Sequence, residues 1–137
     1  MPKILAVDYG TKYIGLAISD DSQMIADELT TLNNNEKIFD NLSKIIFEQK
    51  VSTIVFGLPF HENNQESALV PEIKKFAKKL VIKNKQLSTC FIDEFGTSQL
   101  AEEQLVGKKR KKLRNRDLKK RVNQKSAQIL LQYYLDQ

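Results

Sequence analysis

Several residue types and patterns that would define a protein class are scarce in this 137-residue chain. A single cysteine, Cys90, excludes an internal disulfide bond and a cysteine-based zinc site. No apolar run approaches the roughly 20 residues of a membrane-spanning helix, and residues 54–60, about the longest, include a glycine and a proline. The first residues show no signal-peptide pattern. We therefore expect a cytoplasmic protein without membrane association.

Positive charge is abundant but unevenly distributed. The chain has 22 Lys and Arg against 17 Asp and Glu, and a net charge of +5. Residues 107–125 hold eleven basic residues and one acid, so the rest of the chain is net acidic. A basic block on an acidic body favours a polyanionic partner, most often nucleic acid; the alternative is a solvated segment that binds nothing. The block residues expected to bind nucleic acid are Lys108, Lys109, Arg110, Lys111, Lys112, Arg114, Arg116, Lys120 and Arg121.

The hydrophobic pattern predicts the element order βββαβαβαα. Alternating or fully apolar runs predict strands at residues 3–8, 13–19, 24–32, 53–56 and 87–93. Helical spacing predicts helices at residues 36–50 and 69–80, a short helix after Thr97 or Ser98, and a final helix over residues 122–134. Three antiparallel strands followed by strand–helix alternation indicate an α/β domain with a mixed five-stranded sheet flanked by helices. We expect residues 1–137 to form this single domain.

Acidic residues end two of the predicted strands. Asp8 closes the first strand, and Asp93 and Glu94 close the fifth. Open α/β sheets bind ligands at the carboxyl ends of their strands, and strand alternation allows only one of the adjacent pair to share a face with Asp8. Two close carboxylates repel each other, and Mg²⁺ or Mn²⁺ would remove that penalty. The alternative is that these acids serve only as turn and cap residues.

Two further segments suggest contacts with a phosphate or a metal. Residues 8–12 read Asp-Tyr-Gly-Thr-Lys, a tight turn whose backbone N–H groups and Lys12 could hold a phosphate, or which could be a plain hairpin turn. Asn123 shares a stripe of the final helix with Ala127. It could cap the start of that helix, or it could offer its carbonyl oxygen to a metal beside Asp8 and Glu94.

Four segments together resemble the YqgF family, also called RuvX-like, of the ribonuclease H-like superfamily. They are residues 4–20 (ILAVDYGTK…IGLAISD), 55–59 (VFGLP), 93–98 (DEFGTS) and 120–135 (KRVN…A.ILL..YL). They occur in the family's order and span nearly the whole chain. The resemblance implies a ribonuclease H-like fold and a nuclease that matures the 5′ end of precursor 16S ribosomal RNA, with Holliday-junction resolution as an alternative activity.

The resemblance also implies which residues do the chemistry. Asp8, Glu94 and Asn123 would bind Mg²⁺ or Mn²⁺ for two-metal phosphodiester hydrolysis, with Asp93 in support. The basic block would hold the backbone of the nucleic acid, with precursor ribosomal RNA favoured over structured DNA. The protein would act as a monomer or a homodimer.

This chain departs from the family pattern at two places. The family usually has Asp at the position of Asn123, and it commonly has Arg where this chain has Phe95. A neutral amide supplies no charge to a metal, so a non-catalytic nucleic-acid-binding relative is the rival hypothesis. A third hypothesis, an actin-like kinase suggested by the Asp-x-Gly-Thr turn, is disfavoured because those proteins normally pair two such domains.

Overall fold

The computed structural model describes residues 2–59, 67–93 and 115–137, with the backbone alone described for residues 115 and 116. These ranges contain five strands and three helices. The strands are β1 (Lys3–Asp8), β2 (Tyr13–Ser19), β3 (Ala26–Asn33), β4 (Val51–Leu58) and β5 (Ser88–Asp93). The helices are α1 (Ile38–Glu48), α2 (Leu69–Lys83) and α3 (Asn115–Leu135).

The five strands form one mixed sheet in the order β3-β2-β1-β4-β5. The first three strands are antiparallel neighbours, whereas β4 is parallel to both β1 and β5. The sheet topology confirms the predicted mixed five-stranded α/β architecture. Because β1, β4 and β5 run in the same direction, their carboxyl ends lie at one edge of the sheet.

The two faces of the sheet carry side chains of different size. On one face, large residues of the central strands, including Leu5, Leu16 and Phe56, pack against α1 and α2. On the other face, the small residues Ala6 and Ala17 pack against α3. On the α3 face, Ala6, Gly15 and Ala17 have small side chains or none, and this allows α3 to approach the centre of the sheet closely.

Most predicted boundaries agree with the structure to within a few residues. The first two strands match fully, while β4 extends from residue 51 to 58 rather than 53 to 56. The main difference is α3, which begins at Asn115 rather than near residue 122 because the end of the basic block is helical. The short helix predicted after Thr97 or Ser98 lies outside the described residues. In the described parts of the chain, no helix is both long and apolar enough to cross a membrane.

Candidate functional site

Asp8 is a buried acid at the carboxyl end of β1. Its relative exposure is 5%, and it lies opposite Gly15 in the antiparallel pair of β1 and β2. Ala6 packs against α3. Because side chains two residues apart in a strand point to the same face, Asp8 also lies on the α3 face of the sheet. A buried carboxylate at the edge that binds ligands in α/β sheets marks a candidate site.

The helix α3 crosses the sheet directly over Gly15. A methyl group added at Gly15 would overlap the backbone carbonyl of Asn123 and lie 2.7 Å from the backbone nitrogen of Gln124. Only a residue without a Cβ atom permits this approach. Because Gly15 is the cross-strand partner of Asp8, the close approach brings Asn123 next to the end of β1.

The side chain of Asn123 faces the turn that follows Asp8. Its Nδ2 atom lies 3.5 Å from the backbone oxygen of Tyr13 and donates a long hydrogen bond to it. The same nitrogen is 3.7 Å from the position that a Cβ of Gly10 would occupy. With Nδ2 directed at a carbonyl, Oδ1 is left as the oxygen donor of this side chain. The N-cap role predicted as one alternative for Asn123 is wrong, because α3 begins eight residues earlier.

Two lysines lie over the ring of Tyr13 beside this turn. The Nζ atom of Lys12 is 5.6 Å from the ring centroid, and the Nζ atom of Lys120 is 5.2 Å from it. Tyr13 is buried, with 6% relative exposure, and each lysine makes a cation–π contact with its ring. The start of β2 therefore has two positive charges near it, which favour an anionic ligand.

Polar contacts with β3 fix the position of α3 along the sheet. The Thr31 hydroxyl donates to the backbone oxygen of Lys120 at 2.8 Å, one turn before Asn123. Towards the C-terminus, Gln132 accepts from the N–H of Ala26 at 3.0 Å, and Gln128 donates to the carbonyl of the same residue at 3.1 Å. The pattern of the sequence did not predict these positioning residues, although glutamines recur every four residues at positions 124, 128 and 132 of the helix.

The residue after Asp8 is held from the other face of the sheet. The Tyr9 hydroxyl donates to Oε2 of Glu72, in the first turn of α2, at 2.8 Å. The Tyr9 ring meets the ring of Phe76 edge-on, with centroids 5.1 Å apart. Partial burial, and then the hydrogen bond to the Glu72 carboxylate, raise the pKa of Tyr9 above 10.0. The turn that follows Asp8 therefore contacts α2 as well as α3.

The described residues include only part of the predicted site. Asp93 ends β5 on the face of Phe91, which packs against Phe56 on the side of α2, so it lies on the face opposite Asp8. Arg121 is exposed on α3. Glu94 and the basic residues at 108–112 and 114 lie outside the described residues, as does the side chain of Arg116. Their predicted roles stay predictions.

The donor chemistry at the end of β1 fits a hard divalent cation. Asp8 offers carboxylate oxygens and Asn123 offers an amide oxygen, the donor types that Mg²⁺ and Mn²⁺ prefer. Among the residues in the three described ranges, no three His, Cys, Asp or Glu side chains group as metal ligands. A complete ligand set therefore needs a further oxygen donor, for which the sequence predicts Glu94.

The β3-β2-β1-β4-β5 sheet, with α3 packed over its central strands, is a ribonuclease H-like α/β fold. Solved structures share this fold. RuvC of Thermus thermophilus in complex with a Holliday junction substrate has a TM-score of 0.60 at 10% identity, over 99% of this chain and 94% of that one. Fowlpox virus resolvase, also in complex with Holliday junction DNA, has a TM-score of 0.56 at 11% identity, over 98% and 97%.

The family is defined by sequence. The chain belongs to the RuvX family, whose model, described as Holliday junction resolvase, matches residues 2–137. Relatives named "Putative pre-16S rRNA nuclease" include those of Bacteroides fragilis, 36% identical over 99% of this chain and 97% of the relative. The relative from Phocaeicola vulgatus is 38% identical over 99% of this chain and 96% of the relative. These matches confirm the family resemblance predicted from the four sequence segments.

Proposed function

We propose that this protein is a divalent-metal-dependent nuclease that hydrolyses phosphodiester bonds in the 5′ region of precursor 16S ribosomal RNA. The observation that carries the proposal is the juxtaposition at the end of β1. The buried acid Asp8 lies opposite Gly15, and the close approach of α3 to Gly15 holds Asn123 beside it. The names of the full-length relatives support ribosomal RNA as the substrate.

Asp8 and Asn123 are the described residues that would hold Mg²⁺ or Mn²⁺, with Glu94 as the predicted third ligand. When bound, such ions supply activation of water and stabilisation of the leaving oxygen. Asp8 contributes the negative charge that binds the cation. Asn123 contributes a neutral oxygen whose direction is set by the hydrogen bond from Nδ2 to Tyr13. Burial of Asp8 keeps bulk water from competing for its oxygens.

Positive side chains beside the acid would hold the substrate backbone. Lys12 and Lys120 both contact the ring of Tyr13, and each would bind a phosphate of the backbone near the end of β1. Residues 108–112, together with Arg114, Arg116 and Arg121, would extend these contacts along the nucleic acid. Phosphate contacts of this type release counterions, so we expect binding to weaken steeply with salt.

The experiment is cleavage of an end-labelled precursor-16S 5′ fragment in Mn²⁺. We expect the wild-type chain to cut it and Asp8→Asn to lose the activity while still binding the RNA. Asp27→Asn, which neutralises an exposed acid on β3, is the matched control and should cut normally. Binding without cleavage by the wild-type chain would contradict the proposal and would support a non-catalytic nucleic-acid-binding protein.

A four-way DNA junction belongs in the same experiment, because the family description and the fold shared with resolvases favour it as a second substrate. Cutting a junction symmetrically requires two active sites related by a two-fold axis, hence a dimer. Junction cleavage together with a dimer in sedimentation would support that activity. A strict monomer that cuts only the RNA would exclude it.

A further inference from the structure

A groove between α2 and β5 lies outside the candidate site. Its volume is about 510 Å³, and its floor is formed by apolar atoms of α2 and by Phe91 of β5. Lys74 and Lys78 line the α2 side, and Ile82, 65% exposed, lies at its far end. Strand β5 is the last strand of the sheet formed by the described residues, so the groove lies at this border of the sheet.

The charged residues that line the groove are lysines. Residues 73–92, which are all described, contain six lysines and no acidic residue. Lys74, Lys75, Lys78 and Lys79 are exposed on two successive turns of α2. This charge is separate from the basic block at residues 107–125 and lies on the opposite side of the sheet from α3. It favours a polyanion and opposes a second copy of this chain, whose own lysines would be repelled.

The floor of the groove offers an aromatic surface. Phe91 is 37% exposed, and its ring is stacked on buried Phe56 with centroids 5.6 Å apart, which fixes its orientation. A rigid, partly exposed ring beside lysines is the combination that binds unpaired nucleotides, because bases stack on the ring while phosphates contact the ammonium groups. A base-paired helix would hide the base faces that such a ring needs.

The groove leads towards the edge of the sheet where Asp8 lies. Strands β5 and β1 both run parallel to β4, so Phe91 is two residues from the same carboxyl edge. The hydrogen bond between Tyr9 and Glu72 joins the first turn of α2 to the residue after Asp8. The acids Glu72 and Asp93 lie at that end of the groove, so phosphates are expected beside Lys74 and Lys78 rather than closer to the edge.

We propose that the groove between α2 and β5 binds an unpaired segment of the nucleic-acid substrate that flanks the cleaved bond. A base stacks on Phe91, and the adjoining phosphates contact Lys74 and Lys78. This inference rests on the proposed nuclease function and deepens it, because it makes a single-stranded extension part of the recognised substrate.

The test measures binding by fluorescence anisotropy in the Asp8→Asn background, where the RNA stays intact. The two probes are an RNA duplex with a single-stranded extension and the same duplex with blunt ends. The salt slope is the slope of the logarithm of the binding constant against the logarithm of the salt concentration. Replacing both Lys74 and Lys78 by Gln should make this slope shallower by about 1.4 for the extended RNA, since each phosphate contact to a single strand contributes about 0.7. The matched control replaces two exposed lysines by Gln: Lys37, at the N-cap of α1, and Lys44, within α1. It should leave the slope unchanged.

The aromatic contact has its own readout. Phe91→Leu keeps an apolar residue in the groove and should lower affinity for the extended RNA about tenfold, with blunt duplex unaffected. An extension carrying 5-iodouridine should photo-cross-link to residue 91 of the parent chain and not of Phe91→Leu. Thermal unfolding of each variant shows whether it is folded. If Phe91→Leu does not fold, the lysine variants decide the test, because they are altered only at exposed positions.

The outcomes separate this inference from the proposed function. Cleavage by the wild-type chain with no effect of the groove variants on the extended RNA would overturn the inference alone. Groove-dependent binding without any cleavage by the wild-type chain would overturn the nuclease proposal alone. Binding of a glutamate-rich peptide that the groove variants abolish, with RNA binding unchanged, would overturn the inference in favour of an acidic protein partner.

Discussion

The backbone of Asn123 rests against the Cα atom of Gly15, at the position that any side chain on Gly15 would have to occupy. Gly15 is in turn the cross-strand partner of Asp8. This contact between a strand and a helix more than a hundred residues apart in the chain brings together two of the three predicted metal ligands, Asp8 and Asn123. The geometry of the site therefore depends on a residue that has no functional group.

Gly15→Ala is expected to destabilise the protein and to displace α3 from the end of β1. The added methyl group meets backbone atoms of Asn123 and Gln124, which cannot rotate away as a flexible side chain would. Overpacking of this kind costs about 3 kcal/mol. Urea unfolding measures the loss of unfolding free energy. Nuclease activity should also fall under conditions in which the variant is still folded. Unchanged stability and activity would mean that α3 does not approach the sheet so closely in solution.

Asn123→Asp is expected to strengthen metal binding at least about fivefold. A unit charge 4 Å from another is worth about 1 kcal/mol in bulk water and about 4 kcal/mol at an effective dielectric of 20. Without metal, the new carboxylate would face the Tyr13 carbonyl in place of an N–H donor, so the metal-free protein should unfold at a lower temperature. Titration calorimetry with Mn²⁺ measures the affinity, and Gln137→Glu adds the same charge at the exposed C-terminus as a control.

Gln132→Ala is expected to cost about 1–3 kcal/mol of stability, because it leaves the N–H of Ala26 without its partner. The same side chain also donates to the carbonyl of Met24 at 3.0 Å, so two backbone contacts with α3 are lost together. Gln86→Ala, at an exposed turn position, is the matched control and should be neutral. Equal unfolding free energies of the two variants would contradict the positioning role of Gln132.

Asp20 is expected to make stability depend on pH in the acid range. The Ser22 hydroxyl, followed by the backbone N–H groups of Ile25 and Met24, donates to its carboxylate and lowers its pKa below 3.8. The stabilisation is therefore present above pH 3.8 and is lost as the pH falls through the lower pKa of the folded state. Urea unfolding should show a larger difference in unfolding free energy between wild type and Asp20→Asn at pH 7 than at pH 2.5. An equal difference at both pH values would contradict the role of the Asp20 carboxylate.

Tyr9 and Glu72 are expected to be energetically coupled across the sheet. Their hydrogen bond at 2.8 Å joins the turn after Asp8 to α2, and a double-mutant cycle with Tyr9→Phe and Glu72→Gln isolates it. We expect a coupling of about 0.5–1.5 kcal/mol at neutral pH. Because the pKa of Tyr9 is raised, the stabilisation is present below pH 10.0 and lost as the pH rises through the higher pKa of the folded state. No measurable coupling would mean that the turn is not anchored to α2.

The sequence predicted β1 and β2 fully because their alternation of large and small residues determines both the strands and their faces. The start of α3 was not predictable in the same way. Residues 115–121 are mostly charged and polar, and a helical segment of this composition has no apolar periodicity to detect. The sheet places β4 between β1 and β5, an order that the strand pattern left open.

The contacts around Asn123 were beyond sequence reasoning for a different reason. Asn123 was singled out by its place on the helix, but the approach of α3 to Gly15 is a tertiary contact that no local pattern encodes. The covering of Tyr13 by Lys12 and Lys120 likewise joins two distant segments. The residue types of the site could thus be predicted, whereas the contacts that orient them could not.

The amide contacts of Gln128 and Gln132 also close one border of the sheet to other chains. Both backbone hydrogen-bonding groups of Ala26, at the start of edge strand β3, are already bonded to these glutamines. Further along, the irregular register between β2 and β3 at Leu16 and Ala17 disturbs the regular ladder that a foreign strand would extend. A polypeptide adding to this border would have to displace two side chains and match a distorted strand. The β3 side of the sheet is thereby protected against edge-to-edge aggregation.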